Sequence, residues 1–167
     1  MGLSRATAAG TVLLAVLTGC GGGAEPGSPP DVTVNVGDQT VELHPTQYCL
    51  GDTGQRYATQ PPIIGVSPDA VITFTVPDDV AKQGWSVQVF DEKLNEKLGE
   101  VHVQEGEAVF DQITTSDVVP PTFYLVVVED KGGNCGLFSG AWPVGFIRAG
   151  GEATEGGSAP PSGPPAG

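Results

Sequence analysis

The stretch Asp31-Val32-Thr33-Val34-Asn35-Val36-Gly37-Asp38-Gln39-Thr40-Val41-Glu42-Leu43 alternates apolar and polar residues on both sides of Gly37-Asp38. A period of two places Val32, Val34 and Val36 on one face of a strand, and the Gly-containing dipeptide returns the chain alongside it, so the segment predicts a β-hairpin. The same period recurs downstream. From Ala70 to Val76 it puts Ile72, Phe74 and Val76 on one side, Trp85, Val87 and Val89 share a face of the next strand, and Lys97 to Gln104 and Glu107 to Ile113 give shorter candidates. Thr122 to Glu129 is almost continuously apolar, as a strand central in its sheet would be, and Gly145 to Ala149 ends the folding region. One helical turn, with Asp78 as its cap, is expected around Pro77 to Gln83. Roughly seven to nine short strands separated by Gly, Pro, Asn and Asp clusters predict an all-β fold, an antiparallel β-sandwich of immunoglobulin-like topology, with a small closed β-barrel as the rival. Trp85, opening a strand directly after the Ile72-Phe74-Val76 strand, is similar to the Trp buried between the sheets of an immunoglobulin domain.

Outside this region the composition changes. Gly21 to Pro30 and Gly150 to Gly167 are dominated by Gly, Pro, Ser and Ala, too poor in apolar side chains to offset the entropy of ordering. The expectation is a folded domain over 31–149, a flexible linker over 20–30 and a disordered tail over 150–167. A ten-residue flexible linker has an r.m.s. span of roughly 17 Å, which keeps its domain close to whatever holds the other end.

That other end has its own signature. Ala6 to Leu17 is an apolar run of roughly 12 residues, short of the ~20 needed to cross a bilayer as a helix, and Arg5 precedes it. The run ends in Leu17-Thr18-Gly19-Cys20, which resembles the lipobox of bacterial lipoproteins. The resemblance implies that residues 1–19 are a signal peptide, that the Cys20 thiol becomes a diacylglyceryl thioether, and that acylation of the new terminus completes an anchor of two or more chains. An ordinary cleaved signal with Cys20 free, or a short membrane stub, are the plainer readings. A lipid anchor would place the domain on the outer face of the cytoplasmic membrane, with membrane lipid as the first partner.

Charge narrows the other partners. Seven Lys and Arg stand against twenty Asp and Glu, a net −13, and loss of Arg5 with the signal makes the chain more negative still. Nucleic acid is excluded on this balance, and anionic headgroups would repel the domain, so the lipid itself must hold it. With Cys20 assigned to lipid, Cys49 and Cys135 remain as an even pair in an exported protein and are expected to form a disulfide. No CxxC spacing or neighbouring His supports a metal at these thiols. The bridge should staple an edge or end of the sandwich, because neither cysteine lies in the strand that a central bridge requires.

The parts for catalysis are thin. His44 and His102 are the only histidines; His102, between Val101 and Val103, should face solvent with Glu100 and Gln104, and His44 before Pro45 should mark a chain turn. Gly136-Leu137-Phe138-Ser139-Gly140 lacks the spacing of a nucleophile elbow, and no metal motif or cofactor signature occurs. The reading is a non-catalytic protein with no cofactor and no metal. Bonded cysteines lie within about 4.4–6.8 Å at their Cα atoms, so the segments flanking Cys49 and Cys135 must meet. Tyr48, Arg56, Tyr57, Phe138 and Trp142 fall in those segments and are candidates for a recognition edge; alternatively, Phe138 and Trp142 open the last strand and fill the core.

The lipobox, Pro45-Thr46-Gln47-Tyr48-Cys49 with a distant second cysteine, and the succession Val71-Ile72-Thr73-Phe74-Thr75-Val76-Pro77 then Gly84-Trp85 are together similar to actinobacterial lipoproteins that carry an uncharacterised domain of unknown function. The resemblance covers about 31–149 and implies no catalytic residues. It agrees with a non-catalytic interaction or accessory module of the cell envelope that meets an envelope protein; the alternative is a carrier or sensor binding a small apolar or cationic ligand.

Overall fold

A computed structural model describes residues 27–130, 135 and 140–149. Strands β1 (Val32–Val36) and β2 (Gln39–Leu43) form the expected hairpin, with Val36 opposite Gln39 and Gly37 at φ 59° in the turn. They are followed by β3 (Gln47–Leu50), β4 (Thr53–Arg56), β5 (Ile63–Val66), β6 (Val71–Thr75), helix α1 (Asp78–Gln83), β7 (Trp85–Phe90), β8 (Lys97–Val103), β9 (Val109–Thr114), β10 (Thr122–Glu129) and β11 (Gly140–Arg148). One sheet has four strands in the order β2-β1-β6-β9; the other has seven, β4-β3-β11-β10-β7-β8, with β5 also on β11. The two sheets face each other and neither closes on itself, so the fold is a sandwich and the barrel alternative is set aside.

From β6 onward the chain crosses between sheets as an immunoglobulin-type Greek key does: β6 beside β9 in one layer, β7, β10 and β11 together in the other, β8 outside β7. Alternation builds the core. Val32, Val34 and Val36 of β1, Ile72 and Phe74 of β6, Val87 of β7, Phe123, Leu125 and Val127 of β10, and Val144 and Phe146 of β11 all bury their side chains between the layers. Phe123 stacks on Phe146 at 5.3 Å between centroids. Trp85 is fully buried as expected; its Nε1–H donates to the Glu107 carbonyl at 2.8 Å and its ring meets Phe110 edge-on at 6.3 Å.

Four features depart from the sequence reading. The polar stretch after Leu50, which has no strand-like alternation in the sequence, contains β4, whose four residues are all exposed; an edge strand bonded on one side needs no apolar face. Ile63–Val66 forms β5, which runs parallel to β11 and so breaks the all-antiparallel expectation. The last strand begins at Gly140, ahead of Gly145, as the alternative in which Trp142 opens that strand has it, and its first half is paired to β3 and β10. Asp78 does not cap α1: Pro77 holds that position in extended geometry with no side-chain cap, and Asp78 lies in the first helical turn. Cys49 in β3 and Cys135 are joined, Cα to Cα 5.8 Å, across the edge of the larger sheet and not through the core.

Candidate functional site

The layers are unequal. Beyond β7 the larger sheet continues to β8, whereas the smaller one stops at β9, so the inward side of β8 has no strand opposite it. Val101 pairs with Val87, whose side chain is fully buried, yet Val101 itself is 38% exposed; Leu98 is 45% and Val119 88% exposed. A groove of about 640 Å³ opens there, lined mainly by Val89, Leu98, Val101, Ile113, Val119 and Pro120. A second cavity of about 250 Å³ shares Val101 and continues between the far half of β8 and Val109, Phe110 and Gln112 of β9. Together they form a seam along the β8–β9 side of the sandwich, ended by the Gln104–Ala108 connection.

The connection from β9 to β10 walls the other end, and it is fixed by side chains from three directions. Arg148 Nη1 donates to the carbonyls of Thr115 at 2.7 Å and Val118 at 2.9 Å, and its Nη2 to Val119 at 3.1 Å. The buried Thr115 hydroxyl donates to the Ser67 carbonyl at 2.7 Å and accepts from the Ala70 amide at 3.1 Å. Asp117 Oδ2 accepts from the Thr114 amide at 2.6 Å and its hydroxyl at 2.9 Å, bonds that hold the Asp117 carboxyl below the usual carboxylate range. The wall is therefore preformed although Val119 at its tip is open to solvent.

The outer face of the same sheet carries the other cluster of functional groups. Glu100, His102 and Asp130 bring ligand-type atoms within 4.8 Å of one another. Their polar atoms already have partners. Glu100 Oε2 takes the Lys97 ammonium at 2.8 Å, and its Oε1 accepts from Gln88 Nε2 at 3.0 Å and the buried Ser86 hydroxyl at 2.9 Å. These donors, Lys97 first, pull the Glu100 carboxyl down to about 2. The Ser86 hydroxyl also points to Asp130 Oδ1 at 3.3 Å, while His102 Nδ1 lies 3.6 Å from Asp130 Oδ2. A serine that donates to carboxylates is not one whose proton a histidine withdraws, so the arrangement clamps β8 to β7 instead of activating a nucleophile. His102 faces solvent beside Glu100, as its place in the alternation predicts. His44, exposed at the end of β2, contacts Asp31 at 2.7 Å.

The residues expected at a recognition edge gather at the β3–β4 corner, but not on one surface. Trp142 is wholly buried, its Nε1–H donating to the Pro30 carbonyl at 2.9 Å, so its ring supports the corner and does not meet a partner. Tyr48 is half-buried and edge-on to Trp142 at 5.8 Å. Burial, and then the negative charge of Glu129, pushes the Tyr48 phenol up to about 12. A Cβ on Gly140 would come within 2.8 Å of the Tyr48 ring, which explains why glycine opens β11. Arg56 is exposed, and Tyr57 is partly covered, its amide donating to the Thr46 carbonyl at 2.9 Å. Cys20 and Phe138 lie outside the described residues. The seam was missed in the sequence; its one signal is Val118-Val119-Pro120-Pro121, an apolar run inside an otherwise polar connection.

A family model described as a protein of unknown function (DUF2771) matches residues 25–131. That span holds β1 to β10 and the whole of the seam, but not Trp142 or Arg148 in β11. No curated protein and no solved structure matches the chain. Among the described residues no helix is long and apolar enough to cross a membrane.

Proposed function

The chain belongs to the DUF2771 family, whose description assigns no activity, and we propose from its own residues that it is a lipid-anchored protein of the actinobacterial lipoprotein type. It acts outside the cytoplasm as a non-catalytic interaction module of the envelope. The observation that carries this reading is the uncovered apolar seam, where Leu98, Val101 and Val119 stay exposed around a prebuilt groove. Contiguous exposed apolar surface of this kind marks binding sites on soluble domains. The ends of the domain support the anchored arrangement. Pro30 is held by Trp142 at the bridge pole, whereas Arg148 reaches the Val118–Val119 wall at the opposite pole. A short tether from Cys20 to Pro30 would keep the bridge pole near lipid and turn the groove wall outward.

Two experiments test the two halves. Cys20→Ser in the full chain is expected to abolish lipid mass and release the protein from membranes; a variant that still partitions into detergent with unchanged mass removes the anchor. A photoreactive residue at Leu98 or Val119, in native membranes, is expected to crosslink one envelope protein from both positions, with the Leu98 adduct lost when Val119→Asp is added. Equal yield from a photoreactive residue at Arg56, on the opposite side, would argue against the seam. A second reading, a carrier of a small apolar or cationic ligand, is favoured by the groove volume, which lies within the roughly 300–1,000 Å³ of ligand pockets. A small molecule retained by the native protein in mass spectrometry, without a protein adduct, selects it.

A further inference from the structure

We infer that the seam receives an extended polypeptide segment with alternating apolar and basic residues, which adds to the free edge of β9 as a fifth strand and covers the inner side of β8. The inference rests on the interaction-module reading and names what the module binds.

The layer mismatch is the first ground. β9 is bonded to β6 on one side only, and the strand missing from its other side is the one that would lie over Leu98 and Val101. An exposed edge presents a row of backbone donors and acceptors ready to bond an incoming strand, and side chains at alternate positions then enter the space behind it. Shape is the second ground. The 640 Å³ and 250 Å³ cavities adjoin at Val101 and follow β8 from Leu98 to Gln104, about 20 Å of extended chain or six to seven residues. A compact ligand would fill one cavity; an extended one fills both. Asp117 sets the limit, because its carboxylate already holds the Thr114 amide, so that the pairing edge available is Val109 to Ile113.

Charge selects the occupant's polar face. Glu107 and Asp117 border the seam and Asp111 lies on β9 itself, whereas Glu100 is on the outer face of β8 with its carboxylate bonded to the Lys97 ammonium. The whole chain carries −13. A second copy docking by the same edge would bring equal negative charge against these carboxylates, and a strand with outward Lys or Arg would relieve them.

The test uses the full chain and three synthetic ten-residue peptides: one alternating Lys and Val, one alternating Glu and Val, and the first with a central Pro. The Lys peptide is expected to bind, to slow hydrogen exchange at the amides of residues 109–113, and to weaken with added salt. The Glu and Pro peptides are expected to bind at least tenfold more weakly, as is the Lys peptide to the Leu98→Ala, Val119→Ala double variant. No binding by the Lys peptide, equal binding by the Glu peptide, or binding without protection at 109–113 overturns the inference. Should photocrosslinking from Leu98 and Val119 capture a protein while those amides stay unprotected, the interaction module stands and strand addition falls.

Discussion

The two flanks of the larger sheet are finished in opposite ways. On the β3–β4 flank, a polar edge hairpin is closed by the Cys49–Cys135 bridge, Tyr48 lies edge-on to buried Trp142, and Trp142 holds Pro30. On the β8 flank no disulfide among the described residues closes the inner side, and the aliphatic side chains Leu98, Val101 and Val119 remain in solvent. Unsealed apolar surface costs solubility and invites edge pairing, and on the proposed reading the second flank is left open for contact. The comparison separates stability from recognition: the closed flank should respond to substitution in melting behaviour, the open flank in binding.

The bridge should give the largest effect. Its cysteines are 86 residues apart, and in the chain-entropy account such a closure contributes about 4.5 kcal/mol by restricting the unfolded chain. The Cys49→Ala, Cys135→Ala pair, or reduction of the native protein, should lower the melting temperature by on the order of 15–20 °C. Peptide binding at the seam should survive at temperatures where the domain stays folded. A drop in seam affinity equal to that of a seam variant would mean that the flanks are coupled and that the division is wrong.

How far this division could be read beforehand depends on the kind of signal. Strands whose inward residues alternate, such as Val32-Thr33-Val34-Asn35-Val36 and Ile72-Thr73-Phe74, announce themselves because burial on one face imposes the period. β4 does not, since Thr53-Gly54-Gln55-Arg56 is held by ladder bonds to β3 and buries nothing. The cysteine pairing followed from parity, and its position at an edge from where the cysteines stand relative to the strands. Trp142 was ambiguous between core and surface because the start of β11 depends on a partner, β3, distant in sequence. The seam was illegible for a stronger reason. Val101 has the same alternation as buried strand residues, and only the count of strands in the opposite layer decides that it stays exposed.

Arg148 offers a sharper cut, because it belongs to β11 yet builds the wall of the open flank. Arg148→Met keeps the aliphatic stem but removes the donors to the Thr115, Val118 and Val119 carbonyls. Leaving partly buried carbonyls unserved should cost about 2–3 kcal/mol in denaturant unfolding. Amides of residues 115–119 should exchange faster, while those of β3 and β4 keep their wild-type rates. Uniform acceleration across both flanks would show that Arg148 supports the whole sandwich and has no special bearing on the groove.

The smallest effect concerns how the open flank keeps β8 in place without a cover. Lys97, then Gln88 and Ser86, bond the Glu100 carboxylate on the outer face and draw its pKa from 4.5 to about 2. The folded state thus favours the ionised form more than the unfolded chain does. The stability this supplies is complete above the ordinary carboxyl range and is lost as pH falls through about 2. Because the group is partly exposed, solvent screening reduces the contribution to on the order of 1 kcal/mol. Glu100→Gln should therefore cost about that much at pH 7, and the gap between variant and wild type should narrow steadily between pH 4.5 and 2. Denaturant midpoints across that range measure it. A gap that stayed constant would locate the effect in packing and not in ionisation, and β8 would then be held by its ladder to β7 alone.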